Sequence, residues 1–209
     1  MLTLRSFLWA NLLAIALYVI TVIVLGWLTP QYSHIANVVS DLGRLEAPYH
    51  QAFSLLLGTV GALFVLSSLG FFAVVKTVSG HRFLSVAIAM AVAAIGIGFM
   101  TSAIFPLPDP RHGGFGLARL IFLMPVLISI AVWKKPVFLK LTIFNGVAFV
   151  GLLASIPIFR WLIEQGQMGL GQRITVLIMF GWFSVTSYTF LNTPDAPESL
   201  AKSAVEDSC

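Results

Sequence analysis

FLWANLLAIALYVITVIVLGWL occupies residues 7–28 and holds no charged side chain. As a helix rising 1.5 Å per residue it reaches about 33 Å, enough to cross about 30 Å of hydrocarbon. Five more stretches read the same way: Gln51–Val75, Phe83–Phe105, Gly116–Trp133, Leu139–Trp161 and Ile174–Leu191. None carries Asp, Glu or Lys in its interior, and Arg119 and Arg160 fall near span ends, where long side chains snorkel. The reading is an all-α, polytopic six-transmembrane-helix bundle. The fourth and sixth spans, at 18 residues each, are short enough to stand nearly upright.

Composition agrees with the spans. Of 209 residues 58% are hydrophobic and 10% charged, against about 25% charged in a soluble domain. A soluble globule, a disordered chain, collagen and a disulfide scaffold are all excluded; Cys209 is the single cysteine and forms no internal bridge. The net charge of +4 comes from residues flanking apolar spans, so head groups and topology account for it, and a nucleic-acid partner is not expected. The first span is too long for a secretory h-region and reads as an uncleaved anchor.

Six spans place both termini on one side. That side carries Arg5, Lys76, Arg82, Lys134, Lys135, Lys140 and Lys202, and the other carries Arg44, Arg111, Arg119, Arg160 and Arg173. All five lysines lie on the terminal side, so the positive-inside rule predicts N-in and C-in. Residues 1–191 form the membrane domain, and 192–209, with Pro194, Pro197 and four acids, read as a disordered cytoplasmic tail. Small residues at four-residue spacing (Ala94, Gly98, Ser102; Gly151, Ser155; Ser54, Gly58) mark packing seams. Pro125 and Pro157 are expected to kink their helices.

The chemistry gathers in two connections on the non-terminal side. In the first, Thr29–Gln51, residues Gln31–Leu42 suit a short interfacial helix with His34, Asn37 and Asp41 on one face, ended by Gly43 at positive φ. The second, FPLPDPRHGG from Phe105 to Gly114, is stiffened by Pro106, Pro108 and Pro110 and presents Asp109, Arg111 and His112. Arg44 is expected to turn to solvent, and Arg119 to pair with Asp41 or Asp109, tying the loops together.

These residues support a membrane-embedded hydrolase or transferase acting on a lipid or other amphiphile at the outer interface. Ser40 is the nucleophile, His34 or His112 the base, and Asp41 or Asp109 the orienting acid. A Zn²⁺ on His34, Asp41 and His112 is the alternative chemistry. No cofactor motif is present, and no span holds a histidine in its core, which argues against haem. A non-enzymatic reading makes the chain an accessory subunit docked on a partner membrane protein. A transporter ranks last, because mid-membrane ionisable residues are lacking.

PQYSHIANVVSDLG followed by AP, from Pro30 to Pro48, resembles a bacterial membrane-protein family catalogued as domain of unknown function 998. Its members are similar in a Y-S-H-x4–5-S-[DE]-L-G element after the first span, an A-P entry to the second, and an F-P-x-D-like element followed by histidine after the third. The matches are Tyr32, Ser33, His34, Ser40, Asp41, Leu42, Gly43, Ala47, Pro48, Phe105, Pro106, Asp109 and His112, with the acid one residue later, as FPLPD. The likeness covers about residues 5–190. It implies the six-helix architecture in a bacterial cytoplasmic membrane, and no activity.

Overall fold

The computed structural model describes residues 3–133 and 135–193. Lys134 and the tail from 194 lie outside the described residues. Among the described residues six stretches are long and apolar enough to cross a membrane. They are α1 (Leu8–Leu28, preceded by a 3-10 turn at Leu4–Phe7), α2 (His50–Ser79), α3 (Arg82–Ile104), a fourth segment made of a 3-10 stretch (Gly114–Leu123) and α4 (Met124–Ala131), α5 (Leu139–Glu164) and α6 (Met168–Leu191). The sixth span is therefore not short: MGLGQR, read as a connection, forms its first turns.

The helices close into a ring in chain order, each packing on the next and α6 returning to α1. An aromatic cluster fills the axis. Phe64 of α2 stacks on Phe99 of α3 at 5.6 Å and on Phe180 of α6 at 6.0 Å, and Tyr18 of α1 meets Phe180 edge-on at 5.0 Å. Apolar burial does not hold helices together in lipid, so close packing and buried hydrogen bonds take over. Trp182 Nε1–H donates to Asn145 Oδ1 at 2.8 Å, and Asn145 Nδ2 to Ser129 Oγ at 3.1 Å, joining α6, α5 and α4. The expected seams meet neighbours: Gly98 faces Ala118, Gly58 faces Ala103, and Gly151 faces Ile178.

Two helix expectations change. Pro125 does not kink a long helix. It lies in the first turn of α4, where its missing N–H costs nothing. Ahead of it, Gly113, Gly114, Phe115 and Gly116 all have positive φ, making one left-handed turn that only a glycine-rich run tolerates. At Gly114 a Cβ would sit 2.6 Å from Gly98 Cα, so that turn lies flat on α3.

The expected helix over Gln31–Leu42 does not form. A 3-10 turn at Val39–Gly43 replaces it, after an irregular stretch with Gln31 at φ 61°. Side chains outcompete the helix ladder here. Asn37 Oδ1 accepts from Ser33 N–H at 2.9 Å, and Asp41 Oδ2 accepts from Val38 N–H at 3.1 Å. Gly43 is not among the positive-φ glycines. Its constraint is space: a Cβ would lie 2.7 Å from the buried Phe53 ring. Gly43→Ala and Gly43→Asn are therefore both expected to lower the melting temperature, by roughly 1–3 kcal/mol of overpacking. Phe53→Leu should rescue Gly43→Ala in a double-mutant cycle. A Gly43→Asn protein as stable as wild type would restore the left-handed reading.

Candidate functional site

The two polar connections converge at the ring end opposite Leu4 and Thr193. The 3-10 turn after α1 brings Ser40 to that end. The proline-rich loop after α3, followed by the left-handed turn, brings His112 to the same place. His112 Nε2 lies 2.9 Å from Ser40 Oγ, across 72 residues of chain. The other ring nitrogen, Nδ1, lies 2.8 Å from Phe105 O. A carbonyl only accepts, so Nδ1 carries the proton and Nε2 presents its lone pair to the Ser40 hydroxyl. This is the nucleophile–base half of a hydrolytic triad, with a backbone carbonyl in the orienting position.

The pair opens on a cavity of about 240 Å³ whose walls include Tyr18, Phe53, Phe99, Ser102 and Gln172. Two contacts hold it. Ser102 Oγ accepts from Gly113 N–H at 3.1 Å, fixing the residue after His112. Gln172 Oε1 accepts from Val39 N–H at 2.7 Å, fixing the residue before Ser40. Gln172 Nε2 makes no hydrogen bond among the described residues, so the cavity keeps an amide donor.

The sequence-predicted acids do not join. Asp41 pairs with Arg44 at 2.8 Å, while the Arg44 side chain stays exposed to solvent as expected. Asp109 pairs with Arg111 at 2.7 Å and accepts from Arg111 N–H at 2.8 Å. Those bonds to Arg111 hold the Asp109 carboxyl down at about 2. Arg111 also lies over the Phe105 ring, 3.8 Å from its centre. Each acid is thus taken by the arginine two or three residues on, the lowest-entropy partner available. Arg119 is exposed and pairs with neither acid.

His34 lies elsewhere. Its Nδ1 is 3.0 Å from Arg173 NH2, and its ring packs over Gly26, where a Cβ would be 2.5 Å away. Partial burial, then the Arg173 charge, push His34 below the ordinary histidine range, so at neutral pH Nδ1 accepts from Arg173. The set His34, Asp41 and His112 does not gather, and among the described residues no group of three His, Cys, Asp or Glu could hold a metal.

Sequence reasoning missed the start of α6. Leu170 N–H donates to Ile35 O at 2.9 Å and Gly169 N–H to Ala36 O at 3.3 Å, clipping the first loop to α6. A Cβ on Gly169 would lie 2.2 Å from Asn37 O, so this approach requires glycine. Arg173 NH1 adds bonds to Asn37 O at 3.0 Å and Gly169 O at 2.9 Å, and NH2 donates to Tyr32 OH at 2.7 Å. The signal was the polar pair Gln172–Arg173 beside two glycines, GLGQR, at the mouth of an apolar stretch.

The ring of six apolar helices defines a multi-pass α-helical membrane protein. The family described as Protein of unknown function (DUF998) matches residues 12–188, and the chain belongs to it. Neither a curated protein nor a solved structure matches the chain.

Proposed function

We propose that the chain is a membrane-embedded serine hydrolase or acyltransferase acting on an amphiphile at the outer face. The observation that carries this reading is the 2.9 Å contact between Ser40 Oγ and His112 Nε2 with Nδ1 fixed on Phe105 O. The step balances without a cofactor. Ser40 Oγ attacks an ester carbonyl while His112 Nε2 takes its proton. The C–O bond to the leaving alcohol then breaks as His112 returns the proton to that oxygen. Water or a second alcohol releases the acyl group from Ser40 by the reverse sequence. In this reading Gln172 Nε2–H donates to the developing oxyanion, a contribution of about 10²–10³ in rate for one donor.

The outer placement follows from charge. Among the described residues the end carrying the pair has arginines as its only Lys or Arg, and Lys76, Lys135 and Lys140 belong to the other end, so the positive-inside rule orients the pair outward and the end carrying Leu4 and Thr193 inward, in a bacterial cytoplasmic membrane. The accessory-subunit reading has no comparable contact behind it, and a transport path would have to pass the aromatic cluster on the ring axis.

The test is covalent labelling in lipid nanodiscs with a long-chain fluorophosphonate, read by peptide mass spectrometry. The expected result is one adduct on Ser40, absent in Ser40→Ala. Labelling that persists in Ser40→Ala, or wild-type protein that stays unlabelled, defeats the proposal.

A further inference from the structure

A groove of about 570 Å³ runs between α1 and α6, walled by Val22, Ile23, Ile174, Leu177 and Phe180. Its size is that of a small-ligand site. Arg173 and His34 stand at its outer mouth, and Tyr18 and Val39 line both this groove and the Ser40–His112 cavity. From Arg173 to Phe180 it descends seven residues of helix, about 10 Å, within one leaflet of about 15 Å.

The charge at the mouth is uncompensated. The NH1 and NH2 groups of Arg173 are bonded to two backbone carbonyls, the Tyr32 hydroxyl and His34 Nδ1, all neutral acceptors. No carboxylate pairs with Arg173 among the described residues. A fixed cation at the head of an apolar slot costs free energy that an anion would recover. With Nδ1 accepting, His34 carries its proton on Nε2, which makes no hydrogen bond among the described residues and adds a donor at the mouth.

We infer that the α1–α6 groove binds a single-chain amphiphile with an anionic head, carboxylate or phosphate, the chain lying on Val22, Leu177 and Phe180 and the head on Arg173 and His34. As a statement of substrate class it rests on the reading of Ser40 and His112 above; binding stands apart and is measured without turnover.

The experiment is a native mass-spectrometry titration of the protein released from neutral detergent, with laurate, dodecyl phosphate, dodecanol and inorganic phosphate as probes. One laurate or one dodecyl phosphate should bind at a midpoint at least about tenfold below dodecanol, about 1.4 kcal/mol. Inorganic phosphate should not fill the site in that range. Arg173→Gln, and separately Leu177→Trp, which blocks the slot and leaves the Arg173 bonds alone, should each raise the laurate midpoint about tenfold or more. Ser40→Ala should leave it within about twofold, so a failed nucleophile and a failed groove give different results. Dodecanol binding as well as laurate overturns the proposal, as does inorganic phosphate binding as tightly as dodecyl phosphate. So does a laurate midpoint unmoved by Leu177→Trp, which decides the matter if Arg173→Gln does not fold.

Discussion

Gly96→Val is expected to leave little folded protein. At the crossing of α2 and α3 the two backbones touch: a Cβ on Gly96 would lie 2.6 Å from Gly61 O and 2.9 Å from Val65 N, and a Cβ on Gly61 would lie 2.5 Å from Gly96 O. The obstacles are main-chain atoms, which cannot swing aside. Relief requires the helices to separate, which forfeits dispersion contacts along the most extensive helix pair in the ring. Gly96→Ala is expected to cost roughly 1–3 kcal/mol and Gly96→Val more, against a total stability of about 5–15 kcal/mol. Because one separation admits both methyls, Gly61→Ala with Gly96→Ala should cost less than the sum of the singles. Thermal unfolding in detergent provides the measurement. Additive costs, or a Gly96→Val protein melting with wild type, would show that the backbones do not meet there.

His112→Gln should slow fluorophosphonate labelling of Ser40 by about 10²–10⁴-fold, the usual contribution of a positioned base. Glutamine preserves a hydrogen bond to Ser40 but supplies no basic nitrogen. Asp109→Asn should change the rate by less than about threefold, since that carboxylate is held by Arg111 on an exposed turn and such substitutions are worth within about ±0.5 kcal/mol. The contrast separates a Ser–His pair oriented by Phe105 O from a triad completed by an acid. If Asp109→Asn slows labelling as much as His112→Gln, the acid acts on the histidine after all. Equal rates for His112→Gln and wild type would reduce the 2.9 Å contact to a loop fastener.

The spans were legible because each is a local property: about 20 apolar residues without a charge can satisfy their backbone in lipid only as a helix. Ser40 and His112 were legible as residue types in the two polar loops, since so few polar groups occur in this chain. Their pairing was not, because 72 residues separate them and nothing local encodes the ring closure that brings the loops together. The same gap explains the misassigned acids. Spacing made Asp41 and Asp109 plausible orienting groups, but Arg44 and Arg111 lie within three residues and close the shorter loop first. It explains the lost loop helix too: Gln31–Leu42 has helical periodicity, yet Asn37 and Asp41 cap their own neighbours, and α6 takes the Ile35 and Ala36 carbonyls. Arg173 read as one more outward cation. Its place at the head of an apolar groove was set by α6 packing against α1, helices at opposite ends of the sequence. Sequence by itself determined six crossings, two polar loops on one side and the lysine asymmetry, all consequences of hydropathy and charge counted along the chain. The tertiary structure decided which of the polar groups meet, because that depends on the order of helices around the ring and on glycines where backbones touch.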